Sequence, residues 1–217
     1  MTSLGTSPGI SPGTPFDLAG LTAIVTGANT GIGQGIAVAL ARAGAGIAAV
    51  GRSSMDETAG LVAGTGAPFL EIRADLGSTE PLAGIVERTV GWSGRADILV
   101  NNAGIIRRAD AIDFTEEDWD AVMDVNLKSA FFLSQAFARR LLEAGRPGKI
   151  INIASMLSFQ GGIRIPSYTA SKSGLAGLTR LLACEWAGRG INVNALAPGY
   201  FVTNNTQALR EDPKRSA

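Results

Sequence analysis

Tyr168 and Lys172 stand four residues apart in a stretch with helical spacing, so one helix face carries both side chains. A free tyrosine ionises near pH ~10. A neighbouring ammonium favours the phenolate and lowers that value, which makes such a pair a general acid or base near neutrality. Tyr-x-x-x-Lys is also a common surface pair. Ser155 follows an apolar run at Ile153-Ala154-Ser155, where a hydroxyl can hydrogen-bond a substrate oxygen. Asn126 sits in a helical stretch among apolar neighbours. A buried asparagine needs partners, so it either orients a water or caps an irregularity of the helix. The sequence contains no histidine. That excludes Ser-His-Asp and Cys-His catalysis, HExxH zinc sites and histidine pH switches, and no metal site is expected.

Three further segments have the chemistry of nucleotide binding. Thr26-Gly27-Ala28-Asn29-Thr30-Gly31-Ile32-Gly33 joins a strand-like run to a helix-like one. Glycines there allow a tight turn and close approach of a pyrophosphate, and a helix N-terminus offers free N–H groups. The spacing is G-x-x-x-G-x-G, not the dinucleotide spacing G-x-G-x-x-G, and a plain strand–helix turn is the simpler alternative. Asp75, in Ala74-Asp75-Leu76, follows another apolar run; its carboxylate either accepts from an adenine amino group or caps a helix. Asn101-Asn102-Ala103-Gly104 follows a third, as a ligand-approach segment or an Asn-rich turn.

These residues need a frame that brings them together. Short apolar runs at 22–26, 47–50, 69–72, 98–100, 149–153 and 191–196 read as six strands. Helical stretches at 31–43, 116–145 (one helix or two) and 166–188 lie between them, with Pro166 suited to a helix start. Alternation of this kind predicts βαβ units, a parallel sheet and a doubly wound, Rossmann-like α/β fold in one domain. Ligands then bind at the carboxyl ends of the strands, where the polar segments fall. The 217 residues suit a single domain over 17–217, preceded by a flexible Gly/Ser/Thr/Pro-rich tail over 1–16.

Lys plus Arg and Asp plus Glu number 19 each, so the formal net charge is zero. That argues against nucleic acid or an anionic membrane as partner. No run is apolar and long enough for a membrane span, and the N-terminus lacks the marks of a signal peptide. A cytoplasmic location is the expectation. The single cysteine, Cys184, lies among Leu181, Leu182 and Trp186 and is read as a buried small hydrophobe.

Taken in order, TGxxxGIG, an aspartate after the third strand, NNAG, Asn126, Ser155, Tyr168-x-x-x-Lys172 and Pro198-Gly199 resemble the classical short-chain dehydrogenase/reductase family, over about Leu18 to Thr206. The resemblance implies a nicotinamide-dependent oxidoreductase acting on a carbonyl or secondary alcohol. By it, Tyr168 is the general acid/base, Lys172 lowers its pKa and binds the nicotinamide ribose, Ser155 holds the reacting oxygen, and Asn126 holds a water of the proton relay. Gly27, Asn29, Thr30, Gly31, Ile32 and Gly33 cradle the phosphates, Asp75 and Leu76 meet the adenine, and Asn102, Ala103 and Gly104 the ribose side. Pro198, Gly199 and Thr203 border the nicotinamide. Segments 102–108, 155–162 and 200–206 resemble members of the family that act on deoxy sugar acids in carbohydrate catabolism, which implies a small-molecule sugar-acid substrate. The family's tetramers imply a homo-oligomer.

Two places depart from the family pattern. After the second strand an acidic residue usually binds the ribose hydroxyls and signals NAD; here Gly51 takes that place, followed by Arg52 and Ser53. Arg52 can accept a 2′-phosphate, or merely stack on adenine. Charge favours NADP and the resemblance favours NAD; NAD is the expectation, with NADP held open by Arg52. The family also continues past this length with a helix and a last strand; taken literally, the expectation is a sheet without that last strand, with the sixth strand as its edge. A sugar acid carries a carboxylate, which arginine binds bidentately. Arg107, Arg108 and Arg164 fall on the substrate side, with Arg164 four residues before Tyr168 the foremost candidate. The rival functions are a reductase for another carbonyl, such as a 3-oxoacyl thioester or a polyol, and a non-catalytic nucleotide-binding protein.

Overall fold

The computed structural model describes residues 16–199 and residue 201. Thr203 and all of the expected tail except Phe16 lie outside the described residues. Among the described residues six strands form one parallel sheet: β1 (Thr22–Thr26), β2 (Gly46–Gly51), β3 (Phe69–Arg73), β4 (Ile98–Asn101), β5 (Gly148–Ile153) and β6 (Ile191–Leu196). Their order is β3-β2-β1-β4-β5-β6, with the reversal between β1 and β4. This is the doubly wound arrangement, whose crevice at the reversal takes ligands beyond the strand ends.

The helices are α1 (Gly31–Arg42), α2 (Asp56–Ala63), α3 (Leu82–Ser93), α4 (Glu116–Met123), α5 (Ser129–Glu143) and α6 (Pro166–Trp186). Alternate residues of a strand point to opposite sheet faces, and the core divides accordingly. Ala23, Val25, Ile47, Ala49, Ile98 and Val100 pack with Ala37, Val38 and Ala41 of α1 and Val62 of α2. Ile24, Ala48, Val50, Leu99 and Ile150 pack on the other face with α3, α5 and Leu182 of α6. Central strands buried on both faces read as the continuous apolar runs seen in the sequence. Thr115 caps α4, its hydroxyl accepting from Asp118 N–H at 3.2 Å.

The stretch 116–145 is not one helix. Between α4 and α5 the backbone widens into a π turn, Asp124–Lys128, with Asn126 inside it. Insertions of this type commonly mark functional sites. Helices α2 and α3 have no counterpart among the helical stretches named above; glycines and charges dilute their periodicity. Cys184 corrects the sequence expectation, because it is exposed. The buried line of α6 runs through Leu175, Thr179 and Leu182, and two residues past Leu182 the helix has turned ~200° away from it.

Among the described residues no helix is long and apolar enough to cross a membrane. Among the described residues β6 pairs with β5 alone and stands at the edge of the sheet.

Candidate active site

A cleft of about 710 Å³ opens at the carboxyl ends of the strands. Its lining includes Gly27, Asn29, Thr30, Gly31, Ile32 and Gly33 from the first loop, Arg52 and Ser53 after β2, Asp75 and Leu76 after β3, and Asn102 to Gly104 after β4. Ser155, Tyr168, Lys172, Pro198 and Gly199 complete its other half. The cleft therefore gathers most of the residues singled out from the sequence, although Asn126 is not part of its lining.

The glycine loop is shaped by contacts across the crevice. Gly27 has φ +64°, and a Cβ there would come within 3.0 Å of the Ala103 backbone. A Cβ on Gly33 would overlap the Gly27 carbonyl and the Asn102 amide. Thr26 staples the two strand ends: its hydroxyl donates to Val100 O at 3.3 Å and accepts from the N–H groups of Asn102 and Ala103 at 2.9 and 3.0 Å. Asn102 Nδ2 returns a bond to Thr26 O at 2.9 Å. The loop thus presents the start of α1 to the cleft, with α1's Ncap, Thr30, forming no side-chain cap of its own. An anion fits that uncapped, positively polarised end.

At the end of β2, Asn29 Nδ2 donates to Ser53 Oγ at 2.9 Å. A Cβ at Gly51 would lie 3.3 Å from Asn29 Oδ1. A carboxylate side chain is thus disfavoured at position 51, both by space and by the facing amide oxygen. Asp75 does not cap a helix. Its Oδ1 accepts from Gly77 N–H at 2.9 Å in a tight turn, and α3 begins only at Leu82.

Lys172 is 3% exposed, and its Nζ donates to the Ile153 carbonyl at 2.6 Å. Burial pulls its pKa down from 10.5 to about 8. The ammonium lies 5.7 Å from the centroid of the Tyr168 ring. Tyr168 departs from the sequence expectation. Its pKa is raised, because burial disfavours the phenolate more than a hydrogen bond from Ser155 and the nearby Arg108 charge favour it.

Asn126 is 1% exposed and holds the segment after β4: Oδ1 accepts from Ile105 N–H at 2.8 Å, and Nδ2 donates to Ile105 O at 3.0 Å and to Ser171 Oγ at 3.2 Å. The three arginines separate. Arg107 pairs with Asp118 at 3.1 Å and Arg164 with Asp110 at 3.0 Å, and none of the three is part of the cleft lining. Arg108 is the one whose charge reaches Tyr168. Ala74, Ile105, Val125, Ile153, Ala154 and Phe201 also line the cleft and were not singled out. Most are direct neighbours of residues that were, so the strand ends themselves pointed to them.

Residues 21–214 match the family model described as short chain dehydrogenase. The chain belongs to the short-chain dehydrogenase family. As a short-chain dehydrogenase it is an oxidoreductase of CH–OH groups that works with a nicotinamide cofactor. It is 56% identical over 202 residues to the 2-dehydro-3-deoxy-D-gluconate 5-dehydrogenase of Escherichia coli strain K12, covering 93% of this chain and 80% of the relative. It is 58% identical over 201 residues to the protein of the same name from Dickeya dadantii strain 3937, covering 93% and 79%. A crystal structure from Agrobacterium tumefaciens, of a provisionally named 2-deoxy-D-gluconate 3-dehydrogenase with bound NADP, superposes with a TM-score of 0.84 at 57% identity, covering 93% of this short-chain dehydrogenase and 80% of that chain.

Proposed function

We propose that this enzyme interconverts a secondary alcohol and a ketone on a deoxy sugar acid of the 2-dehydro-3-deoxy-D-gluconate kind. The observation that carries the proposal is the convergence of Ser155, Tyr168 and Lys172 on one wall of the cleft whose other wall is the glycine loop. The names of its relatives at 56% and 58% identity support the substrate class.

When bound, the nicotinamide ring supplies or accepts the hydride. The chain's residues manage the proton and the geometry. Tyr168, whose phenolate Ser155 favours, gives a proton to the substrate oxygen in reduction and takes it back in oxidation. Burial keeps that hydroxyl protonated until a partner is in place. Ser155 holds the same oxygen. Lys172, its ammonium 5.7 Å from the Tyr168 ring centroid, favours the phenolate as it forms and would hold the cofactor ribose. Asn126 serves by holding the Ile105 segment; its amide is engaged with Ile105 and Ser171, which supports a positioning role ahead of a water-holding one. Arg108 is the arginine we assign to the substrate carboxylate, because it is the one whose charge favours the Tyr168 phenolate.

For the adenosine end, the absence of a carboxylate at Gly51 and the presence of Arg52 support acceptance of a 2′-phosphate, while NAD remains the partner expected from the resemblance. The exposed Phe132 and Leu181 support assembly into a homo-oligomer.

The test is absorbance of the reduced nicotinamide with 2-dehydro-3-deoxy-D-gluconate, 2-deoxy-D-gluconate and a 3-oxoacyl thioester, each with NAD(H) and NADP(H). Turnover on a sugar acid that falls ~10²- to 10⁴-fold in Tyr168→Phe is the expected result. Preference for the thioester, or full activity in Tyr168→Phe, overturns the proposal.

A further inference from the structure

We infer that Ser158 is a positioning residue that holds Ser155 in register with the Tyr168–Lys172 face of α6. The inference rests on the roles proposed above for Ser155 and Tyr168.

Ser155 opens a one-turn 3-10 segment, Met156–Ser158. Its hydroxyl accepts from Leu157 N–H at 3.2 Å, and its own N–H donates to Ser158 Oγ at 3.3 Å. This is a reciprocal capping box, yet the helix it caps is only three residues long. The Ser158 hydrogen points elsewhere. It is donated to the backbone carbonyl of Lys172 at 2.7 Å, fourteen residues along the chain. One oxygen atom thus joins the backbone of Ser155 to the backbone of Lys172.

Lys172 closes the circuit from its other end, because its Nζ donates to the carbonyl of Ile153, two residues before Ser155. Ile153, Ser155, Ser158 and Lys172 then form a ring of hydrogen bonds that runs through both the strand end and the helix. On the far side the same segment is tied to the end of the sheet, with Ala154 N–H donating to Leu196 O at 2.7 Å and Met156 N–H to Pro198 O at 3.2 Å. Three hydrogen bonds tie the turn to the α6 segment around Lys172; the two from Ser173 Oγ to the Leu157 and Ser158 carbonyls are long, at 3.5 Å, and the short one, which sets how far the Ser155 turn sits along α6, is that of Ser158 at 2.7 Å. Catalytic constellations tolerate displacements of only ~0.5 Å. Without the Ser158 hydroxyl the turn keeps its strand anchors and the two long bonds from Ser173 but loses its short bond to α6, so its register with Tyr168 loosens. A hydroxyl that merely capped the turn would have no need of the Lys172 carbonyl.

The test is a double-mutant cycle. Ser158→Ala, Ser155→Ala and the double variant are purified, and kcat, KM, the pH profile of kcat, nucleotide affinity and thermal stability are measured. Ser158→Ala should lower kcat ~10- to 50-fold, shift the pH profile, and leave nucleotide affinity within ~2-fold. Ser158→Thr, which keeps the hydroxyl, should recover most of the loss. In the Ser155→Ala background Ser158→Ala should change kcat less than ~2-fold, because its effect acts through Ser155. Wild-type kcat in Ser158→Ala, or losses that multiply in the double variant, overturn the inference and leave the proposed function standing. Full activity in Ser155→Ala overturns the role of Ser155 and the inference with it.

Discussion

The side-chain amide of Asn126 pairs with the backbone of Ile105 as a second strand would, accepting from its N–H at 2.8 Å and donating to its carbonyl at 3.0 Å. The π turn that contains Asn126 is what aims the amide at this segment, where an uninterrupted helix would carry it round to another face. Asn126→Asp is the informative substitution. The carboxylate still accepts from Ile105 N–H but sets a second anionic oxygen against the Ile105 carbonyl and the Ser171 hydroxyl side. We expect a loss of ~2–4 kcal/mol in folding free energy at neutral pH, together with a fall in kcat. Urea melts and steady-state kinetics at matched pH check both.

Lys172 is kept in the cleft against its own contribution to stability. Its pKa falls from 10.5 to about 8 in the fold, so below pH ~8 the folded state carries a buried charge that the unfolded state solvates. Through the window from about 8 to 10.5 the unfolded chain binds more protons, and stability attributable to this residue rises with pH. At ~1.4 kcal/mol per unit, less ~1 kcal/mol for the lost bond to Ile153, Lys172→Met should stabilise the nucleotide-free protein by roughly 2 kcal/mol at pH 7 while removing activity. The gain should shrink towards pH 10.5. Thermal melts of both proteins across that range measure it; a lower Tm for Lys172→Met at pH 7 contradicts it.

Gly33→Ala places a methyl group on the Gly27 carbonyl and the Asn102 amide. Both are backbone or backbone-bonded, so α1 must move out. The expected outcome is a loss of nucleotide binding of at least ~100-fold, since the phosphate site depends on the close approach of that helix start. Fluorescence titration with NADH and NADPH reads it out. Gly35→Ala, at an open position of the same helix, should bind normally.

Arg52→Ala separates the two dinucleotides. Where the guanidinium meets a 2′-phosphate, its removal weakens NADP(H) by ~10- to 100-fold and leaves NAD(H) within ~2-fold. Calorimetry with 2′,5′-ADP and 5′-AMP isolates the same difference without the nicotinamide. Equal losses for both mean that Arg52 contacts adenine instead.

The order of elements, the parallel sheet and the residues at the strand ends were legible from the sequence because they rest on local information. Short apolar runs and helical spacing decide which segments become β1 to β6 and α1, α5 and α6, and glycine placement marks where the backbone must approach a ligand. Helices α2 and α3 escaped because their apolar spacing is broken by Gly60, Gly84 and Gly91. Tertiary structure alone decided what depends on packing between distant segments. It sent Arg164 to Asp110 and brought the charge of Arg108 near enough to Tyr168 to favour its phenolate. It turned Cys184 outwards, a matter of ~100° per residue on a helix whose buried face only the neighbours define. It buried Lys172 enough to move its pKa, and it raised that of Tyr168 where spacing alone predicted a fall. Residue types and spacing specify which groups can react. Desolvation and long-range hydrogen bonds set their charge state and aim, and these exist only once the chain is folded.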